Sequence, residues 1–306
     1  MTRYDQLFLY TAGTALLFCA VLLAVNSLFF HFAALPFPGI ILKNKLLLLC
    51  LPAYVTGFLF YRKFPQFAFF LKAIGMIYII SLLMLCADTA VMTTPFSLKD
   101  QFFNAADNFF GFNLPAFLNQ VARHPSLKHF LEIIYLLLFP ALKIFPLILA
   151  AMREEKQVYK FTINFIITCL IGFTIYYFWP TSAPADVIHN SQLTRLQHHL
   201  ATQFDRIHAH ESIHLFQAGL IAFPSYHTIW AILLAYMFWP RKYLFYPVAV
   251  FSSLVIVATL ASGWHFLTDI IGGMIVAMLS IIITNFLMSI HEKIQEFYIS
   301  TGSSRS

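Results

Sequence analysis

SGWHFLTDIIGGMIVAMLSIIITNFLM occupies residues 262–288. From Ile270 to Met288 it contains no charged side chain. About 20 such residues cross the ~30 Å hydrocarbon layer of a bilayer as a helix. The stretch therefore reads as a membrane span, yet it opens with His265 and, one helical turn later, Asp269. A second apolar stretch, FPSYHTIWAILLAYMFWP at 223–240, opens in the same way, with a proline, a serine and His227. Ionisable groups at the mouth of an apolar helix are costly in lipid, which makes them candidates for function.

The rest of the chain has the same character. Of its 306 residues, 60% are hydrophobic and only 10% charged, against roughly 25% charged in soluble domains. The fold class expected is all-α: a polytopic membrane helical bundle forming a single domain over 1–306. Eight spans are expected, at roughly 7–31, 45–61, 67–90, 129–150, 161–180, 221–239, 243–262 and 265–289. The first is too long for a signal-peptide core and lacks a clear small-residue cleavage site, so it reads as a span. The four cysteines, Cys19, Cys50, Cys86 and Cys169, lie within apolar runs, where packing explains them better than disulfides.

A net charge of +6 would suggest nucleic acid in a soluble protein. Here the basic residues fall in short connections: YRKFPQ (61–66), REEKQVYK (153–160) and RKY (241–243). An up-and-down chain brings all three to one face, together with both termini, and the positive-inside rule makes that face cytoplasmic. The opposite, non-cytoplasmic face receives 91–128 and 181–220. The former is aromatic and amphipathic and reads as lying in the membrane interface. The latter carries six histidines in irregular order and reads as a long solvated outer loop rather than a metal site.

On this topology Pro224 and His265 open their helices at the same, outer face. Pro224 suits a first helical turn, and Ser262 or Gly263 suits a cap. Two helix starts converging on one spot offer free N–H groups and positive dipole ends, a site for a phosphate. Asp269 shares a helix face with His265 and is placed to hold one imidazole N–H, leaving the other nitrogen free to attack.

Pro224-Ser225-Tyr226-His227 resembles the P-S-x-H motif of the type 2 phosphatidic acid phosphatase superfamily, and His265 with Asp269 resembles the H-x-x-x-D end of its last motif. The resemblance implies a metal-independent phosphoryl-transfer enzyme of the membrane with its catalytic core within 161–290. It makes His265 the nucleophile, Asp269 its orienting partner, His227 the general acid and Ser225 a phosphate ligand, with Tyr226 of the same motif a further phosphate-binding candidate. It implies no cofactor and no metal. The partners implied are the bilayer and a lipid phosphate, with no nucleic acid and no obligate protein partner.

The basic positions of the family pattern are absent. Gly172 and Trp179 stand where its first motif, K-x6-R-P, has lysine and arginine; Ala258 and Thr259 stand where the last motif begins S-R. In this the chain resembles a divergent branch, that of inositol phosphorylceramide and sphingomyelin synthases, which also has an aspartate-to-glycine element like Asp107–Gly111. Replacement phosphate ligands are sought in the outer loop: Arg206 and His214 first, with Arg195 and His210. Gly272 and Gly273 read as close helix packing. Two other classes remain open, a non-catalytic lipid-binding or transport protein and, on the strength of paired histidines, a haem protein.

Overall fold

The computed structural model describes residues 4–32, 45–211 and 221–302, and among these it is all-helical. The helices are α1 (Asp5–Phe30), α2 (Lys45–Phe60), α3 (Pro65–Met92), α4 (Asp100–Phe109), α5 (Leu114–Ala122), α6 (Pro125–Ala151), α7 (Glu155–Phe178), α8 (Arg195–His208), α9 (Tyr226–Met237), α10 (Lys242–Ala261) and α11 (Leu267–Gly302). Helices α1, α3, α6, α7, α10 and the 267–297 part of α11 are long and apolar enough to cross a membrane. The fold is a polytopic membrane helical bundle.

The bundle is organised around α7. Of its most apolar window 72% is buried, against 28% for α1 and α6, so α7 is the axis and the others present lipid-facing surfaces. It packs against α1, α3, α6, α9 and α11.

The two remaining expected spans are short. Helix α9 has only 12 residues, about 18 Å at 1.5 Å per residue. Its start is set by the Ser225 side chain, which accepts the Thr228 N–H at 3.3 Å; its end comes at Phe238, just ahead of Pro240. His227, in its first turn, thus lies well short of a full bilayer thickness from the turn at Trp239–Lys242. Helix α2, with 16 residues and an internal Pro52, is the other.

The three basic turns meet at one end, as the up-and-down reading expects. Arg153 donates to Gln66 at 2.6 Å, Arg241 pairs with Glu154, and Tyr61 donates to Glu155 at 2.9 Å. The start of α1 and the far part of α11 join them, for Tyr4 donates to Glu292 at 2.6 Å and Lys156 pairs with the same carboxylate. Lys72, an unlikely residue in a span, is buried with Nζ 2.5 Å from Asp5, which also accepts from the Tyr159 hydroxyl.

At the other end, the 91–128 stretch forms α4 and α5, separated by Gly111 at φ +78°. Helix α4 exposes Phe102 and Phe109 and buries Asp100, Phe103 and Asp107, so its polar side faces the protein. The 181–220 stretch differs from the expected solvated loop. It holds a helix, α8, opened by a Thr194–Gln197 capping box. Leu200, Phe204 and Ile207 recur on one face and are buried, a helical period obscured in the sequence by the polar residues between them. Gln197 donates to the Ser262 carbonyl at 3.1 Å, laying α8 over the turn that precedes His265.

Candidate active site

The turn before α11 folds back through Gly263, whose φ of +72° suits glycine. It delivers His265 to the start of α9. The His265 and His227 rings lie 5.6 Å apart, edge to face. His265 is 3% exposed. Its Nδ1 lies 2.9 Å from the Ala222 carbonyl oxygen and 3.4 Å from Asp269 Oδ2. A carbonyl can only accept, so Nδ1 carries the proton and Nε2 is the unprotonated nitrogen of the ring. Asp269 is expected to hold the imidazole N–H; in the structure the Ala222 carbonyl is the nearer partner of Nδ1, with Asp269 Oδ2 beyond it.

Asp269 does more than face the histidine. Its Oδ2 accepts the Phe266 N–H at 2.8 Å, and its main-chain carbonyl accepts the Ser225 N–H at 3.0 Å. It therefore ties the start of α11 to the start of α9. Gly273 permits this approach, since a Cβ there would stand 2.7 Å from the Ser225 carbonyl oxygen; Gly272 likewise makes room for the Phe223 ring. Both are packing glycines.

His227 is enclosed by aromatic rings. Tyr135 stacks on it at 4.3 Å, with Phe139 edge-on at 5.6 Å and Trp230 tilted at 5.8 Å. Its Nε2 is buried without a hydrogen-bond partner, as are Ser182 Oγ, Thr268 Oγ1 and Asp269 Oδ1. Buried polar atoms are rarely left unpaired, and these belong to the segments that form the two helix starts and the Thr181–Ala183 stretch hydrogen-bonded to them. The two hydroxyls and, when protonated, His227 could each donate to an oxygen of a ligand, whereas Asp269 Oδ1 can only accept. Tyr135 and Phe139, one turn apart on α6, carry no sequence signal that separates them from the chain's other aromatics.

Ser225 and Tyr226 diverge. Ser225 is fully buried at the cap of α9. Its Oγ lies 3.2 Å from Thr228 Oγ1, and its own hydroxyl proton can serve a ligand. Tyr226 points away from the histidines: its hydroxyl donates to the Thr168 carbonyl at 3.3 Å, and its ring packs on Phe173. A Cβ on Gly172 would stand 2.6 Å from that hydroxyl oxygen. Tyr226 thus fills the space beside the position where the resemblance would put a lysine, and it anchors α9 to α7 instead of meeting phosphate. Trp179, at the arginine position, is half-exposed beside Phe102. Arg206 is paired with Glu211 at 2.6 Å on the exposed end of α8, and none of the described contacts joins it to the histidines. His210 stacks on Phe32. His214 lies outside the described residues.

The site extends to α4, part of the stretch expected to lie in the membrane interface. Asp107 accepts the Leu267 N–H at 2.7 Å through Oδ2 and the Thr268 N–H at 2.9 Å through Oδ1. Asp100 accepts the N–H groups of Ser182 and Ala183 at 3.0 and 3.1 Å. Burial pushes its carboxyl up to about 8, against the pull of those N–H groups. Thr181 Oγ1 in turn accepts the Phe223 N–H at 2.7 Å.

No curated protein and no solved structure matches the chain. A family model, that of the PAP2 superfamily, matches residues 101–283. The match opens within α4, earlier than the 161 expected for the core, and ends within α11, enclosing both histidine starts and the helix that touches them. On a match spanning more than half of its length, the chain belongs to the PAP2 superfamily.

Proposed function

We propose that the protein is a membrane enzyme that transfers the phosphoryl-bearing head of a lipid phosphate through a phosphohistidine. The observation that carries this reading is the pairing of the two rings: His265 backed at Nδ1 with Nε2 free, facing His227 with its Nε2 buried and unpartnered. Membership of a superfamily of phosphatases and phosphotransferases supports it.

In the first step His265 Nε2 attacks phosphorus. The bond from phosphorus to the lipid oxygen breaks, and protonated His227 gives its proton to that oxygen. In the second, water or another lipid's hydroxyl attacks the phosphohistidine, His227 takes the proton of that hydroxyl, and the P–N bond breaks to restore His265. Ser225 holds a phosphate oxygen, and Asp269 stabilises the charge that develops on the His265 ring.

The test uses lipids labelled with ³²P: phosphatidate, a polyprenyl pyrophosphate, phosphatidylglycerophosphate and a phosphosphingolipid, each mixed with the purified protein and quenched in alkali. An acid-labile, alkali-stable label should appear on the wild type and be absent from His265→Ala, whose turnover should fall to background. Near-normal turnover of His265→Ala would end the reading.

The site faces the non-cytoplasmic side in this proposal, because the basic turns collect at the opposite end. In intact cells, in a cysteine-free background, Ser191→Cys should react with an impermeant thiol reagent and Arg62→Cys only after the membrane is opened. The reverse pattern would place the site on the cytoplasmic face.

A further inference from the structure

Helix α4 has an inward face made of three residues, Asp100, Phe103 and Asp107, at helical spacing. Each touches a different segment of the site. Asp100 takes two N–H groups of the stretch that follows α7, at Ser182 and Ala183. Phe103 lies with its ring 4.3 Å from that of Phe223, directly ahead of α9. Asp107 takes the N–H groups of Leu267 and Thr268, the first two residues of α11. All three are buried, with Asp100 and Asp107 each 1% exposed. The three segments are far apart in the chain, and α4 contacts all of them at once.

The bonds of Asp107 have a particular consequence. The first N–H groups of a helix have no carbonyl of their own helix to bond. At the start of α11 the Phe266 N–H goes to Asp269, and the next two go to Asp107. His265 is two residues from the nearer of these bonds. A carboxylate accepting two consecutive N–H groups at 2.7 and 2.9 Å fixes both the height and the rotation of the first turn. It thereby fixes the direction in which the His265 ring leaves the backbone.

We infer that α4 is the template of the active site and that Asp107 is the positioning residue for the nucleophile His265, acting through the first turn of α11 without touching substrate. The inference rests on the phosphohistidine reading above. A misplacement on the order of 1 Å at a reacting group costs up to about 10²-fold in rate. Loss of Asp107 should therefore lower kcat and leave substrate binding, made elsewhere, in place.

The experiment compares Asp107→Ala and Asp107→Asn with the wild type and His265→Ala, each first checked for a monodisperse, cooperatively melting protein. Two readouts are taken. One is the rate at which diethyl pyrocarbonate modifies His265, which needs no substrate. The other is kcat and KM on the ³²P-labelled lipids of the panel above. Asp107→Ala should change the modification rate severalfold and lower kcat by about 10–100-fold with KM within twofold. Asp107→Asn, whose one carbonyl oxygen keeps a single N–H bond, should fall between. If Asp107→Ala does not fold, the asparagine variant carries the same comparison. A folded variant with unchanged kcat and modification rate, or one whose loss lies in KM, overturns the inference. Turnover by His265→Ala would instead strike the phosphohistidine reading, so the two failures are told apart.

Discussion

The helices that carry the two histidines begin in opposite ways. Helix α11 is closed: its opening N–H groups are taken by Asp269 and Asp107, so the positive end of its dipole faces carboxylates of the protein itself. Helix α9 is open. Ser225 caps it with one bond to Thr228, while the N–H groups of Tyr226 and His227 are left outside the helix's own ladder. The expectation is that two converging helix ends cradle a phosphate together; on the proposed mechanism the closed start would serve the rigidity that a nucleophile requires, and the open start would serve the incoming anion and the group that protonates its leaving oxygen.

The sharpest way to test this division is at the open end. His227→Ala should slow the first chemical step by about 10²–10⁴-fold, the usual range for a lost general acid. The protein should still form phosphohistidine from an aryl phosphate, whose leaving group needs no proton. If the aryl substrate gains nothing over the alkyl one in this variant, His227 is not the acid. Its aromatic surround of Tyr135, Phe139 and Trp230 would then have to be understood as packing alone.

The two helix starts also differ in how far the sequence reveals them. Patterns local in the chain were legible: the long apolar runs, the proline and serine opening α9, the four-residue spacing of His265 and Asp269, and the glycine pair that lets α11 approach Ser225. What was hidden depends on contacts between distant segments. Asp107 reads as the start of an aspartate-to-glycine element in an interfacial stretch, with no sign of its partners, one of which lies 160 positions away. Tyr226 sits inside the recognised motif and was read with it. Its direction depends on another helix, where Gly172 leaves room for its hydroxyl and the Thr168 carbonyl accepts it. Helix α8 is masked by composition, because Thr202, Gln203, Asp205 and Arg206 separate its three large buried apolar residues and histidines flank them. The length of α9 was overestimated because the apolar run continues past both the cap and the terminating turn.

A smaller effect is expected at the support of the closed start, where α4 also holds the 182–183 stretch through Asp100. Its carboxyl is raised from an ordinary value near 3.8 to about 8, first by burial and then by neighbouring carboxylates including Asp269. The sign follows from linkage. A raised folded-state value means that the fold favours the protonated form, so this contribution to stability is complete below about pH 4 and is lost as the pH rises through about 8. The neutral side chain of Asp100→Asn removes the titration. It gives up one of two N–H bonds, so the variant should melt a few degrees lower at acid pH, where each kcal/mol corresponds to about 2–4 °C in a chain of this size class. Between pH 4 and 8 the melting temperature of the wild type should fall relative to that of the variant, and the two curves should converge. Parallel curves across that window would show that Asp100 does not exchange its proton there, and that α4 grips the 182–183 stretch with the same charge at every pH.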